Sequence, residues 1–185
     1  MATKQKGTLA DPSRLKPIDT SGDKIIQVII ETPKGSRNKY AFNQEARVFE
    51  LRKVLPAGMS FPYDFGFLPS TLGGDGDPVD VLVLMDEPAF AGCVLKCRLI
   101  GIIEGQQLSK KKKVRNDRII AIEQDNHSDA SVRHVDDLGK KFARELENFF
   151  VNYHRLIGKK YELLGLRGRG AAMRCIRRGM KAAKR

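Results

Sequence analysis

The sequence has no tryptophan, only three cysteines, and no apolar run near the ~18 residues that a membrane-spanning helix needs. Cys93, Cys97 and Cys175 are odd in number and show no C-x-x-C spacing, which argues against a disulfide framework or a zinc site. They are expected as buried structural thiols in a reducing compartment. The stretch MATKQKGTLADPSRLKP has no apolar h-region, so no secretory signal is expected and the chain reads as cytoplasmic, with no membrane partner. Acid is the scarcer charge: 22 Asp and Glu face 34 Lys and Arg, a net +12. That excess favours anionic partners, whether phosphates, nucleic acid or an acidic surface, and is silent on fold. A hydrophobic share of 41% over 185 residues excludes a disordered chain and suits one compact domain.

Residues 1–23 are polar, carry Pro12, Pro17 and Gly22, and read as an irregular arm. Short runs rich in branched and aromatic residues follow: Ile25–Glu31, Ala46–Leu55, Val79–Met85, Cys93–Ile103 and Arg118–Glu123. Each is bounded by Gly, Pro, Asn or Asp, the signature of a strand. At least five short strands without a βαβ rhythm predict a mainly β, α+β fold, with an antiparallel sheet closed into a barrel. Helical period appears late, with Leu138, Phe142, Leu146, Phe149, Tyr153 and Leu156 on one stripe. Asp136 and Asp137 sit where an N-cap and a first-turn acid belong, and Gly158 where a C-cap belongs. The boundaries expected are a barrel domain over 24–165 and a basic C-terminal tail over 166–185. Arg167–Arg185 carry eight basic residues and no acid; Ala171, Ala172, Cys175, Ile176 and Met180 could give a short helix there an apolar face.

The densest chemistry lies in Gly74-Asp75-Gly76-Asp77-Pro78-Val79-Asp80, where three carboxylates fall within six residues at a turn that runs straight into a strand. Gly76 lets the backbone bend and Pro78 fixes it, so Asp75 and Asp77 can converge. An Asp-Gly pair alone marks only a turn. Here the third acid opens a strongly apolar strand, where an unneutralised carboxylate is costly. Oxygen ligands without His or Cys select Mg²⁺, Mn²⁺ or Ca²⁺. An EF-hand is a poor fit, because Asp80 stands where that loop requires Gly.

Asp75–Val81 resembles the signature of the family I soluble inorganic pyrophosphatases. Phe61–Leu72 is similar to that family's Pro-containing approach, and Val28–Pro33 and Asn38-Lys39-Tyr40 to its strand with Glu and its Lys-Tyr pair. Cys97–Gly101 and Phe149–Tyr153 continue the register. The resemblance spans roughly residues 24–165. It implies an OB-like five-stranded barrel with flanking C-terminal helices, often a hexamer or dimer, that hydrolyses diphosphate with Mg²⁺, Mn²⁺ being the alternative. It makes Asp75, Asp77 and Asp80 metal ligands and Asp77 the acceptor of a water proton. Glu31, acting through metal-bound water, would serve the substrate with Lys39, Lys53, Arg118 and Tyr153, Lys39 by charge and Tyr153 by hydroxyl donation.

The departures cluster at the site. Lys-Tyr-Glu becomes Lys39-Tyr40-Ala41. Lys53 stands for an Arg, with Arg52 beside it as a substitute. Phe65 stands for Tyr, and His154 for Lys. Between Gly105 and Arg118 the family places two metal-binding Asp residues and then a Lys; Asn116 falls at the second Asp, with Asp117 one step on and Arg118 at the Lys. Nothing matches the first, and Lys110–Lys113 add mobile charge. Two functions follow. One is an altered phosphohydrolase in which Lys and Arg partly replace metals, with a reduced rate or a shift to another phosphoanhydride. The other is a catalytically impaired barrel that binds polyanions, polyphosphate or nucleic acid, the basic tail adding to that binding.

Overall fold

Val79–Met85 and Arg118–Glu123 are near-continuous apolar runs, which suits strands covered on both faces. They sit that way in the computed structural model, which describes residues 11–19, 25–109, 112–156 and 158–184. The strands are β1 (Ile25–Thr32), β2 (Asn38–Asn43), β3 (Val48–Val54), β4 (Asp64–Phe67), β5 (Asp80–Leu84), β6 (Val94–Ser109), β7 (Lys112–Arg115), β8 (Arg118–Glu123) and β9 (Lys160–Gly168); the helices are α1 (Gly139–Leu156) and α2 (Arg169–Ala182). Val81, Val83, Ile119 and Ala121 join one core with Ala172, Cys175 and Ile176 of α2. Their neighbours Leu82, Leu84, Ile120 and Ile122 join a second core with Phe142, Leu146 and Phe150 of α1.

The main sheet closes on itself in the order β1, β4, β5, β8, β6 and back to β1, a five-stranded barrel of OB-like form. β7 and β9 continue along the far end of the sixteen-residue β6. Four seams are antiparallel, as expected. The β5–β8 seam is parallel, because the long excursion through β6 and β7 lies between those two strands and returns the chain in the same direction.

Two strands differ in role from the sequence reading. The run at 46–55 forms β3, which pairs only with β2 in a separate two-stranded ribbon. Val48, Leu51 and Val54 stay about half exposed, so that strand has no fully buried face. The barrel wall is instead β4, four residues that are all buried. A Cβ added at Gly66 would lie 2.1 Å from the Ile29 carbonyl oxygen, so the close approach of β1 and β4 depends on glycine there.

In α1 the predicted stripe holds at Phe142, Leu146 and Tyr153, and Phe149 is half-buried, but Leu156 is half exposed. Phe150 and His154 are buried beside the stripe because β9 flanks the helix and Tyr161 stacks on His154 at 4.6 Å. Asp137 does not cap α1. Its Oδ2 accepts from the Arg133 and His134 N–H groups, both at 2.8 Å, and closes a 3-10 turn (Val135–Leu138) ahead of the helix. Gly158 adopts φ +69° and its N–H donates to Arg155 O, a left-handed stop of the expected kind.

Of the N-terminal arm, 11–19 are described: Pro17 is buried and Ile18 bridges Ile26 of β1. In 166–185, α2 buries Ala172, Cys175, Ile176 and Gly179 against the barrel. Cys97 and Cys175 are buried, and Cys93 is half-buried. No helix among the described residues is long and apolar enough to cross a membrane.

Candidate active site

Barrel topology decides which charges meet. Asp80 opens β5 and Arg118 opens β8, and the parallel register sets the two residues opposite each other. Arg118 Nε lies 3.7 Å from Asp80 Oδ2, and the Arg118 side chain is only 4% exposed. Its Nη1 donates to the Tyr161 hydroxyl at 3.0 Å and to Asn116 O at 3.2 Å, while the guanidinium carbon stands 4.0 Å from the Phe150 ring centroid. Across the other edge of β5, Asp80 faces Phe67 of β4.

A cavity of about 510 Å³ opens on this rim. Glu31, Lys39, Phe65, Asp77 and Asp80 line it, and Ala41 and Arg52 complete its wall. Glu31 Oε1 accepts from the Phe42 N–H at 2.8 Å, which ties the end of β1 to β2. The Lys39 ammonium stands 5.4 Å from the Phe65 ring centroid and 5.7 Å from that of Tyr153; Lys53 approaches the same tyrosine at 5.8 Å. Lys53 and Tyr153 thus stand beside Lys39 without lining the cavity, and Arg118 touches it only through Asp80.

Asp75 takes a different direction. With Gly76 at φ +94°, the loop turns so that Asp75 lines a second cavity of about 330 Å³, together with Asp80, Arg115, Asn116, Asp117, Cys175 and Arg178. Asp75 Oδ1 accepts from the Asp77 N–H at 3.4 Å. Asp80 and Pro78 separate the two cavities. Asp117 is committed elsewhere: its Oδ1 accepts from the Gly105 N–H and pairs with Arg115 at 2.7 Å.

Crowding of acids shows in their protonation. Burial pushes Glu31 up to about 7, with Asp80 and Asp77 adding to it, against the Phe42 N–H and Lys39. Burial also pushes Asp80 up to about 6, opposed by Arg118 and Lys39 and aided by Asp75 and Asp77. Asp75 rises through burial and the nearby Asp77. For Lys39, burial opposes the charge, but Tyr153, Asp80 and Glu31 overcome it and the ammonium is stabilised on balance.

The donor set is all oxygen, which suits a hard divalent ion. The buried Asn116 Oδ1, with no hydrogen-bond partner, adds a neutral donor beside Asp75 and Asp80 in the second cavity. Among the described residues, no three His, Cys, Asp or Glu side chains converge closely enough to hold an ion by themselves.

Of the residues named from the sequence, Glu31, Lys39, Asp77 and Asp80 line one cavity, whereas Asp75, expected to converge with Asp77, lines the other. Sequence reasoning named Arg52 only as a substitute, although Arg52 lines the wall; two adjacent cations on β3 were the available signal. It missed Arg115 of β7 and Arg178 of α2, which line the second cavity with Asp75 only because strand pairing and the packing of α2 bring them there. His154 is buried and stacked rather than open to the cavity, its Nδ1 at 2.7 Å from Phe150 O. Of the lysine run, Lys110 and Lys111 lie outside the described residues, and Lys113 pairs with Glu162 at 3.6 Å.

Fold and site together define a class: OB-like barrels with a tight acidic loop at the mouth of one strand, faced by lysine and arginine. Comparison with known proteins narrows it. The family described as inorganic pyrophosphatase matches residues 28–184. An inorganic pyrophosphatase of Synechocystis is 35% identical over 174 residues, 94% of this chain and 99% of that protein. One from Geobacillus stearothermophilus is 35% identical over 83% of this chain and 91% of its own. The crystal structure of inorganic pyrophosphatase from Thermus thermophilus superposes with a TM-score of 0.86 at 30% identity, covering 95% of this chain and all of that one. The chain belongs to the inorganic pyrophosphatase family.

Proposed function

We propose that the chain hydrolyses inorganic diphosphate to two orthophosphates with Mg²⁺, Mn²⁺ serving as a substitute. The observation that carries this reading is the shared wall on which Asp77, Asp80 and Glu31 face Lys39. Asp80, which borders both cavities, would hold the cation with Asp77 from the first cavity and Asp75 from the second, once those two side chains swing inward to share it. A divalent ion held there would neutralise phosphoryl oxygens and lower the pKa of water. Asp77 is exposed at the cavity mouth and accepts the proton as water attacks phosphorus. Lys39 gives an ammonium to substrate oxygens, and Lys53 and the Tyr153 hydroxyl flank it. Glu31, easily protonated in its buried setting, holds its place by the Phe42 N–H and exchanges protons with water in the cavity. Phe65 and Phe67 add apolar surface to one part of the wall.

Orthophosphate release from diphosphate tests this. Asp77→Asn is expected to lower the rate by roughly a hundredfold or more; equal rates for the two proteins would overturn the reading.

Two partners go with it. Arg174, Arg177 and Lys181 are exposed on α2 and form no ion pair among the described residues, a face suited to polyphosphate or nucleic acid. Retention on immobilised polyphosphate should fall steeply with salt. Exposed Leu51, Val54 and Phe90 suit burial in a homo-oligomer, which sedimentation would reveal.

A further inference from the structure

We infer that Arg118 is a resident cation of the acidic loop: by holding Asp80 as a fixed counter-ion, it weakens the loop's affinity for divalent ions. The inference rests on the proposed metal-dependent hydrolysis and adds to it a residue that sets cation affinity.

Five carboxylates line the two cavities: Glu31, Asp75, Asp77, Asp80 and Asp117. Of these, Asp80 alone serves both cavities and also pairs with a guanidinium. Arg118 cannot readily leave. The β5–β8 register sets it opposite Asp80, Tyr161 and Asn116 accept from its Nη1, Phe150 covers its face, and 4% of its side chain is exposed. Lys39, by contrast, lines the open cavity on a flexible stem. A divalent ion on Asp80 must therefore share the carboxylate with a charge 3.7 Å away, and burial leaves that repulsion poorly screened. Asn116 fits the same arrangement, since its free Oδ1 offers an oxygen without adding negative charge. Arg118, expected from the resemblance to serve the substrate, lines neither cavity. It is a positioning residue that acts through Asp80.

The experiment titrates Mn²⁺ into the metal-free full-length protein and reads free Mn²⁺ by electron paramagnetic resonance, without substrate. Arg118→Gln is expected to bind Mn²⁺ roughly tenfold tighter or more. Arg118→Lys, which keeps the charge, is expected to stay within about threefold of wild type. A residue needed only for packing would disturb both variants alike. Unchanged or weaker Mn²⁺ binding by a folded Arg118→Gln overturns the inference while leaving the proposed hydrolysis standing; no Mn²⁺ binding by wild type overturns the hydrolysis reading itself. Should Arg118→Gln be unfolded without metal, circular dichroism decides: recovery of the fold on adding Mn²⁺ supports the assignment, because it reports the same gain in affinity. Failure to fold at any Mn²⁺ concentration overturns it.

Discussion

His154 gives the protein an acid weakness of calculable size. The imidazole is 2% exposed, lies flat against Tyr161 at 4.6 Å, and its Nδ1–H donates to the Phe150 carbonyl. Burial, with Arg118 close by, pushes its pKa down from 6.5 to about 4. The unfolded chain therefore takes up a proton as pH falls through 6.5, while the folded chain resists until about 4. Stability from the neutral ring is fully present above pH 6.5 and is lost on the way down to 4. At ~1.4 kcal/mol per pH unit between those values the loss amounts to about 3 kcal/mol. Urea unfolding of wild type and His154→Asn at pH 7.0, 5.5 and 4.5 measures it. The variant starts lower at pH 7, having lost the stacked ring, roughly 1 kcal/mol. Between pH 7.0 and 4.5 wild type should lose most of about 3 kcal/mol more than the variant. Other titrating groups are common to both proteins and cancel. Parallel loss of stability in the two would refute the assignment of a neutral buried imidazole.

Asp64 should show the opposite sign. Burial raises its carboxyl to about 6, so the fold favours the protonated form and loses stability as pH climbs from 3.8 to 6. Asp64→Asn is expected to gain about 3 kcal/mol on wild type between pH 4 and pH 7, read by the same denaturation series. Gly66→Ala drives a methyl into the Ile29 carbonyl and should cost about 3 kcal/mol, seen as a lowered melting temperature. Phe142→Ala removes a buried ring of α1 and should cost about 3–5 kcal/mol in urea unfolding, without changing barrel strand content by infrared spectroscopy. Chelation of divalent ions should abolish orthophosphate release, and Mg²⁺ should restore it.

Much of this protein is written locally. Turn residues and branched runs mark β1, β5, β6 and β8 because each spans its own apolar stretch between breakers, and α1 shows its period because one face packs inward from Phe142 to Tyr153. The acidic loop is equally local, since Gly76 and Pro78 set its bend within a few residues. β4 and β9 were not legible. Asp64–Phe67 has four residues and a glycine, and Lys160–Gly168 mixes charge with leucine, so each becomes a strand only because a partner is waiting: β1 and β5 for one, β6 for the other. The 46–55 run was read as a strand, but nothing in it says that its partner is β2 alone.

Local chemistry therefore named the acids, the lysine and the family resemblance, because turns, strand period and charge spacing act over a handful of bonds. Tertiary structure alone decided that β8 runs parallel to β5, that Arg118 consequently lies buried on Asp80, and that Asp75 and Asp77 look into different cavities. Those outcomes depend on which strands close the ring. Strand pairing between distant segments is set by the fit of whole surfaces, and a reading of neighbours along the chain does not contain it.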